Sequence, residues 1–115
     1  MPEDKRNDPR IDFKIMVIHN GNRGVTRDVS LNGAFIKRTE DIPLLPIGSD
    51  ISFSFYFPNI KKHIDVKGLI VHHGNKKNGM GIWFNKTEER SKVFIRRFLS
   101  DYRLVREEKR SSNSL

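Results

Sequence analysis

Between Ile51 and Phe57 the chain reads Ile-Ser-Phe-Ser-Phe-Tyr-Phe, with an apolar residue at every second position. A period of two belongs to a β-strand with one buried face, because successive side chains point to opposite sides of the pleat. A helix would scatter Ile51, Phe53, Phe55 and Phe57 around its axis, so this segment restricts the chain to a fold with a half-buried sheet. Similar runs surround it. Phe13, Ile15 and Val17 alternate with Lys14, Met16 and Ile18, and Asn20-Gly21 follows directly. Asn-Gly between two extended runs marks a hairpin, since both residues tolerate positive φ. The returning strand covers Arg23–Ser30, with Val25, Val29 and Leu31 on one side and Thr26, Asp28 and Ser30 on the other. Asn32-Gly33 turns the chain into a third strand, Ala34–Lys37. The stretch Asp41–Gly48, with Pro43, Pro46 and Gly48, reads as a loop holding buried leucines. Pro58-Asn59 closes the phenylalanine-rich strand, and two more strands are expected at Ile64–His72 and Gly81–Phe84. Short strands at regular intervals, separated by turn signals, predict an antiparallel sandwich or barrel.

The chain changes character after Phe84. Asn85 and Glu88 have the spacing of a capping box, and Ile95, Phe98, Leu99 and Tyr102 recur at helical intervals, with Val105 extending the stripe. A terminal helix is expected to lay that stripe over an open end or edge of the sheet. A length of 115 residues suits one core. Its expected limits are a charged arm at 1–12 carrying Pro2 and Pro9, a folded unit at 13–105 and a polar, serine-rich disordered tail at 106–115. No apolar run is long enough to span a bilayer, and no hydrophobic stretch follows the charged N-terminus, so a cytoplasmic location is expected. With no cysteine there are no disulfides or thiolate metal sites.

The formal charge of +8 favours an anionic partner. Lys61-Lys62 and Lys76-Lys77 fall in expected loops, where basic pairs commonly serve only solubility. A more specific signal is the order of two motifs. Arg6-Asn7-Asp8-Pro9-Arg10 has the form R-x-x-x-R and precedes the first strand, and Asp28-Val29-Ser30-Leu31-Asn32-Gly33 has the form D-x-S-x-x-G one hairpin later. R-x-x-x-R alone says little, since Arg23 with Arg27 also satisfies it. The combination, together with Gly81-Ile82-Trp83-Phe84 ending the last strand and a helix behind it, resembles the PilZ family across most of the chain.

That resemblance implies a small antiparallel six-stranded β-barrel with a flexible N-terminal arm and a C-terminal α-helix. It also implies a receptor for the bacterial second messenger cyclic di-GMP, not an enzyme, that orders its arm on binding and signals to a downstream effector protein. The residues matching the family's binding positions are Arg6, Arg10, Asp28, Ser30 and Gly33, with Lys5, Asn32, Gly81 and Trp83 as secondary candidates; for Trp83, barrel packing is the favoured role. The chemistry suits the ligand. A guanidinium fork grips a phosphate or the O6/N7 edge of guanine through two parallel hydrogen bonds, which a lysine does less selectively. A carboxylate accepts from guanine N–H groups or holds an arginine, and a hydroxyl donates to a phosphate oxygen. Taken singly, Asp28 and Ser30 are equally explained as a locally bonded turn.

Two other classes are weighed. A nucleic-acid-binding small barrel would answer to the positive charge, but it calls for aromatics exposed among basic residues, whereas Phe53, Phe55 and Phe57 share one face and read as core. A PilZ-like protein-interaction module without ligand binding would tolerate loss of motifs that are intact here. Neither metal nor cofactor is expected: His72 and His73 are adjacent on a strand and point apart, and His19 and His63 lack companions at metal spacing. No nucleophile elbow or lodged carboxylate pair suggests catalysis.

Overall fold

The computed structural model describes the backbone of residues 13–113 and side chains as far as Tyr102. Six strands form it: β1 (Met16–His19), β2 (Asn22–Val29), β3 (Gly33–Lys37), β4 (Asp50–Phe57), β5 (Lys62–His72) and β6 (Gly79–Trp83), followed by helix α1 (Glu89–Asn113). All pairings are antiparallel, and the sheet closes on itself in the order β1-β2-β3-β6-β5-β4. Closure leaves no unpaired edge to recruit other chains.

The alternation in β4 does what its period demands. Ile51, Phe53 and Phe55 point into the barrel with Val17, Ile36, Val66, Ile70, Met80 and Ile82, and all are buried. Phe57, at the strand's end, packs between Phe94 and Phe98 of α1, at ring separations of 5.3 and 4.9 Å. Ile95 and Leu99 of α1 join the core, so the helix closes one end of the barrel with the expected stripe. Ile42 plugs it from the 38–49 loop; Leu44 and Leu45, expected to be the buried residues there, are only partly covered. Residues 75–77, expected as plain loop, form a short 3-10 turn in which Lys76 and Lys77 both hold a φ of 54°.

Three other local expectations are corrected. The strand predicted from Phe13 begins at Met16, because residues 13–15 are held instead by one buried side chain. The Thr26 hydroxyl donates to the Phe13 carbonyl at 2.7 Å and accepts from the Ile15 amide at 2.9 Å. The Thr26 amide also donates to the Ile15 carbonyl at 3.1 Å. Helix α1 starts at Glu89 and not at an Asn85 cap. The Thr87 hydroxyl bonds both backbone groups of Lys67 on β5, at 3.0 and 2.8 Å, which holds the chain along the barrel wall until it can turn into the helix. The helix then runs on to Asn113, through most of the stretch expected as a tail.

The third correction concerns β2. Thr26 pairs with Ile36 and Asp28 with Phe35, so Arg27 is an extra residue bulged out of the ladder. The bulge shifts the phase of the strand. Thr26 and Val29 lie inside and Asp28 outside, and Val29 and Thr26 are both fully buried. Simple alternation had placed Thr26 and Asp28 on one side.

Replacing Thr26 by valine keeps the volume but leaves the Ile15 amide and the Phe13 carbonyl without their hydroxyl partner. It should lower the free energy of unfolding by about 1–3 kcal/mol in urea titrations, the usual cost of stranding buried polar groups. Ser54→Ala, which removes an exposed bond to Asp65, should cost less than about 0.5 kcal/mol. Equal losses would contradict the anchoring role of Thr26.

Candidate functional site

Four strands carry one outward-facing row. Asp28 on β2 stands opposite Phe35 on β3, Phe35 opposite Gly81 on β6, and Gly81 opposite His72 on β5. Directly opposed residues lie about 4.5–5.5 Å apart, so the row crosses roughly 15 Å of barrel wall. His72 joins it through a second irregularity: the register shifts between Ile70 and His72, which leaves Val71 unpaired and turns His72 outward.

Phe35 lies outside the barrel, yet it is only 1% exposed. Its ring rests on β6 where Gly79 supplies no side chain, and the His72 ring lies over Gly81. Gly74 approaches so closely that a Cβ there would lie 2.6 Å from the ring. The Arg27 guanidinium covers it at 3.9 Å from the ring centroid, and the His72 ring lies 5.8 Å from it. Arg27 is simultaneously bonded to Asp28, Nε to Oδ2 at 3.0 Å, and the Asp28 side chain is largely buried. Bulging is what permits this geometry, since it places neighbours 27 and 28 on the same side of the wall.

The end of the row is set by a tight turn. Ser30 lies one residue past β2; its amide donates to the Gly33 carbonyl at 2.8 Å and its hydroxyl donates to the same oxygen at 3.3 Å. The local-turn role therefore accounts for Ser30. Gly33 is not in the left-handed region, so turn geometry is not the reason for its being glycine. A Cβ at Gly33 would stand 2.6 Å from the Ile82 carbonyl, and that close approach of β3 to β6 is the reason. The Asn32 carbonyl accepts from the Phe84 amide at 2.8 Å, tying the turn to the end of β6.

Trp83 pairs with Gly33 on one side and Leu69 on the other, and points outward in the row next to Asp28–His72. It is 52% exposed, which corrects the expectation that it serves barrel packing. The carbonyl side of Trp83 leaves no space for a Cβ at Gly68, so the backbone there is held close to β5 while the indole stays free. The structure thus brings together Asp28, Ser30, Asn32, Gly33, Gly81 and Trp83. It adds Arg27, Phe35 and His72, which sequence reasoning missed. Lys5, Arg6 and Arg10 lie outside the described residues. No group of three His, Asp or Glu side chains that could hold a metal ion occurs among the described residues, and none of the helices described is long and apolar enough to cross a membrane.

A closed six-stranded barrel with a terminal helix has solved counterparts. The structure of the Bacillus subtilis inhibitor of motility MotI/DgrA superposes with a TM-score of 0.65 at 14% sequence identity, covering 84% of this chain and 52% of that one. The PilZ domain of CeSA from a cellulose-synthesizing bacterium gives a TM-score of 0.57 at 21% identity, covering 83% and 98%. The present chain therefore spans about half the length of MotI/DgrA. No curated protein matches the sequence. The PilZ domain family model matches residues 4–101, a span that contains both motifs, and the chain belongs to that family of cyclic di-GMP receptors. PilZ domains are in general binding and adaptor domains and not enzymes.

The two glycines beneath the row differ in what an added methyl would strike. At Gly79 it meets the Ile36 carbonyl as well as the Phe35 ring, whereas at Gly81 the three nearest atoms all belong to the His72 ring. Gly79→Ala should therefore lose about 1–3 kcal/mol of stability, as overpacking against backbone does. Gly81→Ala should lose less and instead displace the imidazole, seen as shifted His72 ring resonances. A Gly81 variant as unstable as the Gly79 variant would show that His72 is fixed.

Proposed function

We propose that this domain binds cyclic di-GMP on the outer face of β2, β3, β6 and β5, and that binding fixes residues 1–12 across that face. The observation that carries the reading is the position of Asp28: a carboxylate buried on the outside of the barrel, already engaged by a guanidinium, beside a turn ending in Gly33. Arg6 and Arg10 supply the two forks that grip phosphate or guanine edges. Chain length supports this for Arg10. Phe13 is pinned to Thr26, two residues from Asp28, and Arg10 precedes Phe13 by three residues, which extended chain spans in about 10 Å.

The remaining residues divide by what their positions allow. Asp28 accepts from guanine N–H groups or holds an incoming arginine. Arg27, stacked on Phe35, is a third guanidinium at the same place and competes for the Asp28 carboxylate until ligand and arm arrive. Trp83 and His72 offer planar faces for a purine. Ser30 acts as a positioning residue through the 30–33 turn. As an adaptor the domain would then present an altered surface to an effector protein. Ligand can drive that change only through its different affinity for the two arm states. A cytoplasmic setting, where the messenger is made, goes with this reading. The nucleic-acid alternative lacks its platform: Phe53 and Phe55 lie inside the barrel, and Phe35, though outward, is sealed at 1% exposure, which leaves Trp83 as the exposed Phe, Tyr or Trp side chain of this face among the described residues.

Calorimetric titration of the whole chain with cyclic di-GMP should give micromolar or tighter binding, on the order of −8 kcal/mol. Arg10→Ala should weaken it by about 1–3 kcal/mol, the contribution of one bidentate contact. Unchanged affinity in that variant, or salt-sensitive binding to random oligonucleotides with none to the dinucleotide, would defeat the proposal.

A further inference from the structure

On the other side of the barrel, a groove of about 660 Å³ opens between β1 and the turn joining β4 to β5. Met16, Val25 and Tyr56 line it as another outward row across β2, β1 and β4. Phe13 and Phe98, with rings 5.2 Å apart, close one end. Ile60 projects from the turn beside it and is 59% exposed. Such an apolar side chain, unsupported by neighbours at a turn tip, has no role in the core. Two cations line the same groove, Lys14 and Arg23; both are exposed, and neither forms an ion pair among the described residues. None of the described residues that line it is acidic.

We infer that this groove docks an acidic, apolar segment of a partner protein, with large apolar side chains seated against Met16 and Tyr56 and carboxylates set on Lys14 and Arg23. Charge complementarity selects this occupant. A second copy would bring a like-charged groove and a net charge of +8 toward its own cations. A nucleic acid would leave most of its phosphates over apolar walls. A membrane surface requires a protruding apolar face, whereas this is a recess. The apolar lining suits an amphipathic helix, which lays anchors at i, i+3, i+4 and i+7 into an apolar groove. The inference is independent of the messenger reading, because none of the groove residues belongs to the Asp28 face.

The test uses the isotope-labelled full chain, without cyclic di-GMP, and two synthetic amphipathic helical peptides with the same leucine pattern. One carries glutamate on its polar face and the other carries lysine. The acidic peptide should shift amide and methyl resonances at Met16, Val25, Tyr56 and Ile60 on titration, and the basic peptide should not. Ile60→Asp and Arg23→Glu change exposed positions, so their spectra should retain the folded dispersion, and each should weaken the acidic peptide at least tenfold. Absence of groove shifts, equal response to both peptides, unaltered affinity in the two variants, or shifts produced by sodium decanoate but not by the acidic peptide would overturn the inference. None of these outcomes bears on calorimetric binding of cyclic di-GMP.

Discussion

In β2, one residue more than the ladder requires decides which side chains meet the core and which meet solvent. Regular alternation from Thr26 would send Asp28 inward and Val29 outward, placing a carboxylate in an apolar interior and a valine in water. Burying an unpaired carboxylate is costly enough that the fold would not tolerate it. Bulging Arg27 out of register resolves the conflict: Val29 enters the core, Asp28 leaves it, and Arg27 lands next to Asp28 at ion-pair distance. The site thus depends on a backbone irregularity, and the irregularity is held in place by the packing of Val29 and the hydrogen bonds of Thr26 on either side of it.

The outer face is shaped as much by missing side chains as by those present. Gly79 and Gly81 alternate with Met80 and Ile82 along β6, so the strand is apolar inside and bare outside. Onto the bare side lie Phe35 and His72, which would otherwise stand up from the sheet. The result is a surface in which Phe35 is sealed beneath Arg27 and beside the His72 ring, next to the exposed Trp83. Glycine weakens a strand because it gives up conformational freedom and packs nothing itself. Here the lost packing is replaced by Phe35, which fills the space and is covered in turn by Arg27.

Much of the barrel was legible because the strongest signals were local. Period-two runs, Asn20-Gly21, Asn32-Gly33 and Pro58-Asn59 located the strands to within a few residues, and the stripe of Ile95, Phe98 and Leu99 located the helix. The motif pair pointed to Asp28 and Gly33. What stayed hidden depended on register between distant strands. Ala34-Phe35-Ile36 is apolar on both faces, so no pattern could reveal that Phe35 alone lies outside. Val25-Thr-Arg-Asp-Val29 contains no mark of a bulge, since Thr26 and Asp28 look equally polar. Asn85 and Glu88 had proper capping spacing, but the hydroxyl of Thr87 found partners on β5, and a tertiary contact displaced the local preference. Gly33 looked like a turn glycine, but a neighbouring strand, and not its own φ, requires it.

Thr26 also links the two outward faces. Its hydroxyl holds the Phe13 carbonyl, while the Phe13 ring packs on Phe98 and Tyr102 at the end of the groove, with centroids 5.2 and 4.5 Å away. Asp28 stands two positions along β2 from Thr26. Any ligand that drew Arg6 and Arg10 toward Asp28 would exert its pull at Phe13, with the fixed hydroxyl of Thr26 as the fulcrum. Packed aromatic rings do not deform continuously; they shift between discrete arrangements. Tension in the leading segment can therefore reach the groove end through one side chain, without any change in the barrel, whose closed hydrogen-bond ladder makes it the stiff element between the two faces.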